Sequence, residues 1–335
     1  MYKPPIIRSG RGEARDLKDI HGSVLVVTME EPWKILHKQI GWTPDCVHFV
    51  EDMEYRHVTA QNDLLPPCDV VVGVGGGSCV DTAKFIAWKR GCRMILVPSI
   101  ISVDAPLTNT VAVRVDGKVQ YVGDIFPEEL IIDYDLIQQA PPVLNRAGSC
   151  DIASIHTALY DWQLAGDLNG ESYDPSIAME ALRCLEELDE NAEEVYNVSP
   201  KGIDTIIDLY RREVEFCAHL GSSRPEEGSE HIVAYGMEHR TRRHFLHGDL
   251  VGLGIFVISR LQGNRHEWIT DLMTRTGLRY ECPDATLTEI EDCLRGLKDF
   301  KDKSNLFYSV LDTVPITATF ISDTLAALAN SRGRK

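Results

Sequence analysis

The sequence predicts an α/β domain built on a parallel sheet at residues 1–140, followed by an all-α domain at residues 141–335. Three observations support this organisation. A chain of 335 residues is longer than one hydrophobic core usually serves. Its first 140 residues alternate apolar runs with helical stretches. The remainder has helical periodicity almost throughout.

The predicted strands are short, rich in β-branched residues and bounded by polar or glycine-containing breaks. They lie at residues 23–28, 47–52, 69–75, 93–99 and 129–135. A helical segment at 80–91 separates two of them. Continuous apolar strands with intervening helices are typical of a parallel sheet that is covered on both faces.

The pattern changes at Ala140, where two prolines follow and suit the first turn of a helix. Beyond them, apolar residues recur three and four positions apart in four long segments. Segment 279–306 is polar and broken by loops, and it indicates little. The domain boundary is therefore expected near residue 140.

Charge and cysteine content exclude several classes of protein. The formal net charge is −17, from 34 basic and 51 acidic residues, and so acidic a surface disfavours nucleic acid and anionic lipid. Nine cysteines without Cys-x-x-Cys spacing indicate free thiols in the cytoplasm. No secretion signal and no membrane span are expected. The apolar helical surface favours a homo-oligomer.

The glycine loop Gly73-Val74-Gly75-Gly76-Gly77-Ser78 follows a predicted strand and opens a helix. Glycines let the backbone approach a ligand, and free N–H groups at a helix start bind phosphate oxygens. The loop matches neither G-x-G-x-x-G nor a P-loop, so a tight turn is the alternative interpretation.

Acidic and basic residues flank this loop. Asp81 and Lys84 are spaced as a surface ion pair on the following helix. Glu30 and Glu31 end the first predicted strand, where an acid can accept a ribose hydroxyl and repel a 2′-phosphate. They favour NAD over NADP.

Three residues near the starts of three predicted helices are metal-ligand candidates. They are Asp151, His231 and His247. Ligands from three helices can converge in a bundle and leave an open position on the ion. From spacing alone, however, a satisfied core histidine is the commoner outcome, and His239 or His244 could be chosen equally well.

Four motifs resemble the sn-glycerol-1-phosphate dehydrogenases, within the superfamily of iron-containing alcohol dehydrogenases, glycerol dehydrogenases and dehydroquinate synthases. The most specific is GSSRP (221–225) followed by GSEH (228–231). The others are GVGGGSCVDTAK (73–84), the helix that contains Asp151 and Asp161-Trp162, and LHGDLVGLG (246–254). The resemblance spans roughly residues 1–270.

The resemblance implies a Rossmann-like dinucleotide-binding domain and a helical metal-binding domain, with the site in the cleft between them. It implies Asp151, His231 and His247 as ligands, usually of zinc, with nickel or iron(II) as alternatives. It places the pyrophosphate on Gly75, Gly76 and Gly77, with Asp81, Lys84 and Ser99 near the cofactor. Ser78, the next residue of the loop, and Glu30, from its place at the end of the first predicted strand, are further candidates for cofactor binding. Asp104 would contact the polyol, and the proton would leave through His244 or water at the metal.

The sequence also departs from this family. Cys150 stands where a glycine is expected, Ile155 replaces a lysine, Tyr235 replaces a histidine and Asp249 replaces a glutamate. Ser102-Val103-Asp104-Ala105-Pro106 looks more like glycerol dehydrogenase. Loss of the lysine removes a cation that a phosphorylated substrate would use, although Arg114, Lys118 or Arg224 could supply one.

The expected function is a metal-dependent, NAD(P)-linked dehydrogenase of a small polyol phosphate, with glycerol 1-phosphate and dihydroxyacetone phosphate as the leading pair. The first alternative is a dehydrogenase of another polyol or cyclitol. A sugar-phosphate cyclase of the dehydroquinate synthase type is a further alternative. A non-catalytic binding protein is the last.

Overall fold

The computed structural model describes residues 4–115 and 118–333, which fall into two compact units. The first unit ends at Asn145 and also includes Val198–Ile207. The second comprises Arg146–Asn197 and the chain from Asp208 onward. The division therefore lies five residues beyond the expected boundary, and a short later segment groups with the first unit.

The first unit contains a six-stranded sheet in which every pairing is parallel. The strands of the chain are β1 (Ile6–Gly10), β2 (Val24–Thr28), β3 (Cys46–Phe49), β4 (Val70–Gly75), β5 (Arg93–Pro98), β6 (Thr110–Val115), β7 (Lys118–Asp124) and β8 (Glu129–Asp133). The sheet order is β1-β8-β5-β4-β2-β3, and β6 pairs with β7 as an antiparallel hairpin. All five predicted strands are confirmed. Strand β1 and the hairpin are additional.

Helices of the first unit connect these strands. They are α1 (Glu30–Ile40), α2 (Tyr55–Leu64), α3 (Gly77–Arg90), α4 (Tyr134–Ile137) and α5 (Pro142–Arg146), with a 3-10 helix at Glu13–Asp19. Helix α5 begins at Pro142, as the proline pair predicts. The core packs apolar residues of the central strands, such as Val26, Val72 and Val97, against Leu36 of α1. All six residues of β4 are buried, which explains its unbroken apolar sequence.

The second unit is helical, as predicted. Its helices are α6 (Cys150–Asn169), α7 (Pro175–Glu190), α8 (Ala192–Tyr196), α9 (Pro200–Leu220), α10 (Ser229–Thr241), α11 (His247–Gln262), α12 (His266–Thr276), α13 (Leu287–Lys303) and α14 (Ala318–Arg332). The first turns of α9 belong to the first unit. Short 3-10 helices lie at Ala147–Ser149 and Val310–Asp312. Helices α6, α10 and α11 pack against one another.

Segment 279–306 is more regular than the sequence interpretation allows, because it contains the 17-residue helix α13. Thr286 and Glu289 form a capping box at its start. Ile290, Leu294 and Leu297 are buried along one face. Among residues 4–115 and 118–333, no helix combines the length and apolar character needed to cross a membrane.

Candidate metal centre and cofactor loop

The structure brings together the three predicted metal ligands, which are up to 96 residues apart in the chain. Asp151 lies in the first turn of α6, His231 in the first turn of α10, and His247 begins α11. Asp151 Oδ1 lies 3.1 Å from His247 Nε2 and 3.7 Å from His231 Nε2. The two imidazole rings are 5.5 Å apart, centre to centre. Asp151 Oδ1 therefore lies close to a ring nitrogen of each histidine, and three packed helices supply the three side chains.

Glu230 fixes the orientation of His231. Its Oε1 lies 3.0 Å from His231 Nδ1, which leaves Nε2 directed toward Asp151. The carboxylate is itself held, because Thr157 Oγ1 donates to Oε2 at 2.7 Å and the Gly228 N–H donates to Oε1 at 2.5 Å. A carboxylate behind a ligating histidine sets its tautomer and makes it a better ligand.

The carboxylate of Asp151 and the imidazole of His231 each stabilise the charged form of the other. Burial alone would raise the pKa of Asp151, but His247 and His231 outweigh it and hold that pKa well below its usual range. Burial would likewise lower the pKa of His231, yet Asp151 and Glu230 together raise it well above its ordinary value. A cation is thus favoured at this position, whether it is a proton or a metal ion.

The donor set fits a divalent metal ion. It consists of one carboxylate oxygen and two imidazole nitrogens, with the Asp151 and His231 side chains at most 9% exposed. Nitrogen and oxygen donors of this kind suit zinc, nickel and iron(II). Three protein donors also match the number usual for a catalytic zinc site.

Buried polar contacts hold the start of α10, where His231 lies. Asp161 Oδ2 accepts hydrogen bonds from the Ser229 N–H at 2.8 Å and from Ser229 Oγ at 2.5 Å. Gln262 and the Val310 N–H donate to the other oxygen. On the facing helix, a Cβ at Gly254 would lie 2.8 Å from Glu230 Cα, so glycine permits α11 to approach.

His244 is placed differently from the three ligands. Its side chain is 61% exposed and Nδ1 lies 3.4 Å from Glu238 Oε1. The structure does not bring His244 into the cluster of Asp151, His231 and His247.

Sequence reasoning missed two residues that belong to the cluster. Glu230 is adjacent to His231, and its place in the GSEH motif was the available signal. Cys150 stood out only as a departure from an expected glycine, yet its Sγ lies 3.0 Å from Asp151 Oδ1.

The glycine loop of the first unit joins the end of β4 to the start of α3. Gly75 has a φ of +148°, and a Cβ there would lie 2.7 Å from the Cβ of Cys79. Cys79 and Val80 donate to the Gly76 carbonyl. The N–H groups of Gly77 and Ser78 precede these and lack intrahelical acceptors by position, so they suit a phosphate oxygen.

Lys84 is fully buried and supports a neighbouring segment. Its Nζ donates to the Ala105 carbonyl at 2.5 Å, to Thr108 Oγ1 at 2.9 Å and to the Thr110 carbonyl at 3.2 Å. Burial lowers the pKa of Lys84, whereas Asp81 and Asp104 act to raise it. Burial also raises the pKa of Asp81 to about 6, against the effect of Lys84. The pair is therefore not the surface ion pair that the spacing suggests.

The remaining predicted cofactor residues lie in the same unit. Ser99 follows β5 and is buried, and its N–H donates to the Gly75 carbonyl at 3.0 Å, which ties two strand ends together. Glu30 opens α1, directly after β2, and is exposed and paired with Lys34 at 3.3 Å.

Comparisons with known proteins agree with these arrangements. The sequence profile of iron-containing alcohol dehydrogenases matches residues 12–141. Glycerol-1-phosphate dehydrogenase [NAD(P)+] of Hyperthermus butylicus is 32% identical over 238 residues, or 71% of this chain and 68% of the relative. The protein of the same name from Aeropyrum pernix is 31% identical over 67% of this chain and 64% of its own length. The chain thus spans about two thirds of the length of these relatives.

A solved structure supports the fold. A probable glycerol dehydrogenase from Sinorhizobium meliloti superimposes with a TM-score of 0.70 at 18% identity, over 99% of both chains. The predicted combination of a Rossmann-like α/β domain and a helical domain is confirmed. The sequence matches show that the chain belongs to the iron-containing alcohol dehydrogenase family.

Proposed function

We propose that the chain catalyses reversible hydride transfer between NAD(P) and a small polyol phosphate, with sn-glycerol 1-phosphate and dihydroxyacetone phosphate as the leading pair. The observation that carries this proposal is the cluster of Asp151, His231 and His247 in a chain whose relatives are named glycerol-1-phosphate dehydrogenase. Oxidoreductases of this kind need a cofactor site and an electrophile beside the reacting oxygen.

Asp151, His231 and His247 would hold the divalent ion, for which we propose zinc, with nickel and iron(II) as alternatives. When bound, the ion supplies a Lewis acid that stabilises the negative charge developing on the substrate oxygen. Glu230 keeps the His231 ring oriented. Burial of Asp151 and His231 excludes water from their side of the site.

The first unit would bind the cofactor. The N–H groups at Gly75, Gly76, Gly77 and Ser78 are proposed to bind the pyrophosphate at the start of α3. Lys84 would position the segment that carries Asp104. Asp81 and Ser99 are proposed to contact the cofactor, and Glu30 would accept a ribose hydroxyl, which favours NAD.

We propose one residue for binding a substrate hydroxyl and another for accepting the proton that the reaction releases. Asp104 is proposed to accept a hydrogen bond from a polyol hydroxyl. His244 is proposed to exchange the proton with solvent, since its ring is exposed. Water is the alternative proton acceptor.

A dehydrogenase of an unphosphorylated polyol or cyclitol is the second candidate, and a specific observation favours it. Ile155 is buried where related enzymes are expected to carry a lysine. Arg224 is a poor substitute for that lysine, because its side chain is 1% exposed and its Nε and Nη2 bind Glu171 at 2.7 and 2.9 Å. Glu227 and Glu230 both act to raise the pKa of His231, so acidic groups lie near this ligand.

A substrate panel tests these proposals. Zinc-loaded protein is assayed with NADH and either dihydroxyacetone phosphate or dihydroxyacetone, and kcat/KM is compared. A higher value for the phosphate supports the first proposal. A higher value for the free ketone supports the second. NAD that copurifies with the protein and shows no net reduction or oxidation with either substrate would favour a sugar-phosphate cyclase.

The state of the cysteines supports a proposal for the cellular compartment. All nine cysteines are free, which suits a reducing compartment such as the cytoplasm. The proposed partner is a small-molecule polyol or polyol phosphate, and a homo-oligomer stays a prediction.

A further inference from the structure

We propose that the thiol of Cys150 is an additional ligand of the metal ion held by Asp151, His231 and His247. The chain would then supply two adjacent donors from the start of α6. The inference rests on the proposed function only in assuming that this cluster binds a metal ion.

The geometry supports Cys150 as a ligand. Cys150 Sγ, an Asp151 carboxylate oxygen and a His247 ring nitrogen all lie within 4.8 Å of one another. The Sγ to Oδ1 separation is 3.0 Å and the Oδ1 to His247 Nε2 separation is 3.1 Å. Donors about 2.0–2.3 Å from a tetrahedral zinc ion lie roughly 3.3–3.7 Å apart. The observed separations of 3.0 and 3.1 Å are slightly shorter, so the side chains would move apart by a few tenths of an ångström on binding the ion.

The local backbone explains how two neighbouring residues can face one ion. The 3-10 helix Ala147–Ser149 runs directly into α6, whose first residue is Cys150. A Cβ at Gly248, next to His247, would lie 2.8 Å from the Ala147 Cβ. Glycine at 248 therefore lets the start of α11 approach this turn, which brings His247 to the Cys150 and Asp151 side chains.

The neighbours of the Cys150 thiol also differ from those of the buried thiol of Cys293. Within residues 4–115 and 118–333, Cys150 is the cysteine whose Sγ lies close to two other potential metal ligands, Asp151 and His247. Cys293, for comparison, is buried with its Sγ 3.9 Å from the Val233 carbonyl. On binding, the S–H bond of Cys150 would be replaced by a sulfur–metal bond and the proton released to solvent.

A sulfur donor has consequences for the choice of metal and for the reaction. Thiolate is a soft ligand, so it favours zinc over magnesium or manganese. The ligand atoms within 4.8 Å of one another are those of Cys150, Asp151 and His247, so His231 would have to move closer for four donors to complete a tetrahedron. Substrate binding would then require a fifth position or release of one donor. Cys150 is expected to raise metal affinity and to limit turnover.

X-ray absorption at the zinc edge tests the proposal on the full chain. The zinc-loaded native protein should show one sulfur scatterer at about 2.3 Å. Cys150→Ser should lose it, and the matched control Cys293→Ser should keep it. Should Cys150→Ser fail to fold, Cys150→Gly places the residue expected from the resemblance and should show the same loss.

A second measurement uses cobalt. Cobalt-substituted native protein and Cys293→Ser should show a near-ultraviolet sulfur-to-metal absorption band that Cys150→Ser lacks. A zinc site with only nitrogen and oxygen neighbours in the native protein would overturn the inference while leaving the proposed function intact. A band that persists in Cys150→Ser would overturn it as well. Protein that binds no metal would overturn both.

Discussion

Glu230 and His231 are neighbours in the chain and in the site, and the carboxylate lies 3.0 Å from the ring nitrogen that faces away from Asp151. This contact turns a histidine at the start of a helix into an oriented donor. The Glu230 oxygens are held in turn by Thr157 and by the Gly228 backbone. The GSEH segment therefore supplies the histidine, the carboxylate behind it and one of the donors that hold that carboxylate, while α6 supplies the other donor.

Replacing Glu230 by glutamine should weaken zinc binding by about 10- to 100-fold, because a neutral amide orients and polarises the imidazole less well. The dissociation constant measured by competition with a chelator checks this. Glu238→Gln, which removes an acid from the same helix beside His244, is the control and should not change affinity. An unchanged affinity in Glu230→Gln would show that the contact is dispensable.

Replacing His247 by alanine should remove the metal and reduce turnover by at least about 10²–10³-fold, as when an electrostatic stabiliser of the transition state is lost. Binding of NADH should stay nearly native, since the glycine loop belongs to the other unit. Metal analysis and an NADH fluorescence titration on the same sample check both points. Retained metal and turnover would overturn the ligand assignment.

Gly75→Ala should weaken NADH binding and lower stability by about 1–3 kcal/mol, because φ is +148° and the new methyl group would meet Cys79. Gly91→Ala is the matched control. Gly91 also has a positive φ, at +64°, but nothing lies within 4 Å of its added Cβ. The control should lose some stability and keep cofactor affinity. Equal NADH affinity in both variants would contradict the placement of the pyrophosphate.

The native protein should have a higher kcat/KM for NADH than for NADPH, because Glu30 would repel a 2′-phosphate. Glu30→Gln should reduce that ratio mainly through KM for NADPH. Lys34 contacts the same carboxylate, so Lys34→Gln should shift the ratio in the opposite direction. A native preference for NADPH would refute the assignment of Glu30.

Arg224→Met should destabilise the protein by roughly 1–3 kcal/mol, because the Tyr308 carbonyl and the carboxylate of Glu171, which is 30% exposed, both lose their hydrogen-bond donor. The guanidinium binds both oxygens of Glu171 and the Tyr308 carbonyl, and it lies over the Phe307 ring. Denaturant unfolding checks this. The double variant Arg224→Met with Glu171→Gln should recover part of the loss. A raised KM for dihydroxyacetone phosphate at native stability would instead assign Arg224 to substrate binding.

The fold could be predicted further than the site. Buried parallel strands such as β4 have unbroken apolar sequences, and helices such as α7 and α9 have a clear apolar period. Helix α13 was missed although Thr286 and Glu289 offered a capping signal. The hairpin β6–β7 was missed although an Asp-Gly pair separates its strands in the sequence.

The site depends on contacts that no local pattern contains. Spacing alone does not say that the chain folds Asp151 against His247, and only the family motifs favoured these residues over His244. The surface ion pair expected from Asp81 and Lys84 illustrates the same difficulty. Helical spacing correctly predicts that Asp81 and Lys84 lie one turn apart on the same helix. The burial of Lys84 against Ala105 and Thr108, however, depends on tertiary packing.

The most direct test of the central claim is NADH oxidation by zinc-loaded protein with dihydroxyacetone phosphate, measured before and after chelation and again after zinc is restored. We expect turnover that the chelator abolishes and that zinc recovers, with no recovery in His247→Ala. Turnover that is unaffected by removal of the metal would contradict the account. A lack of turnover with both dihydroxyacetone phosphate and dihydroxyacetone would contradict it as well.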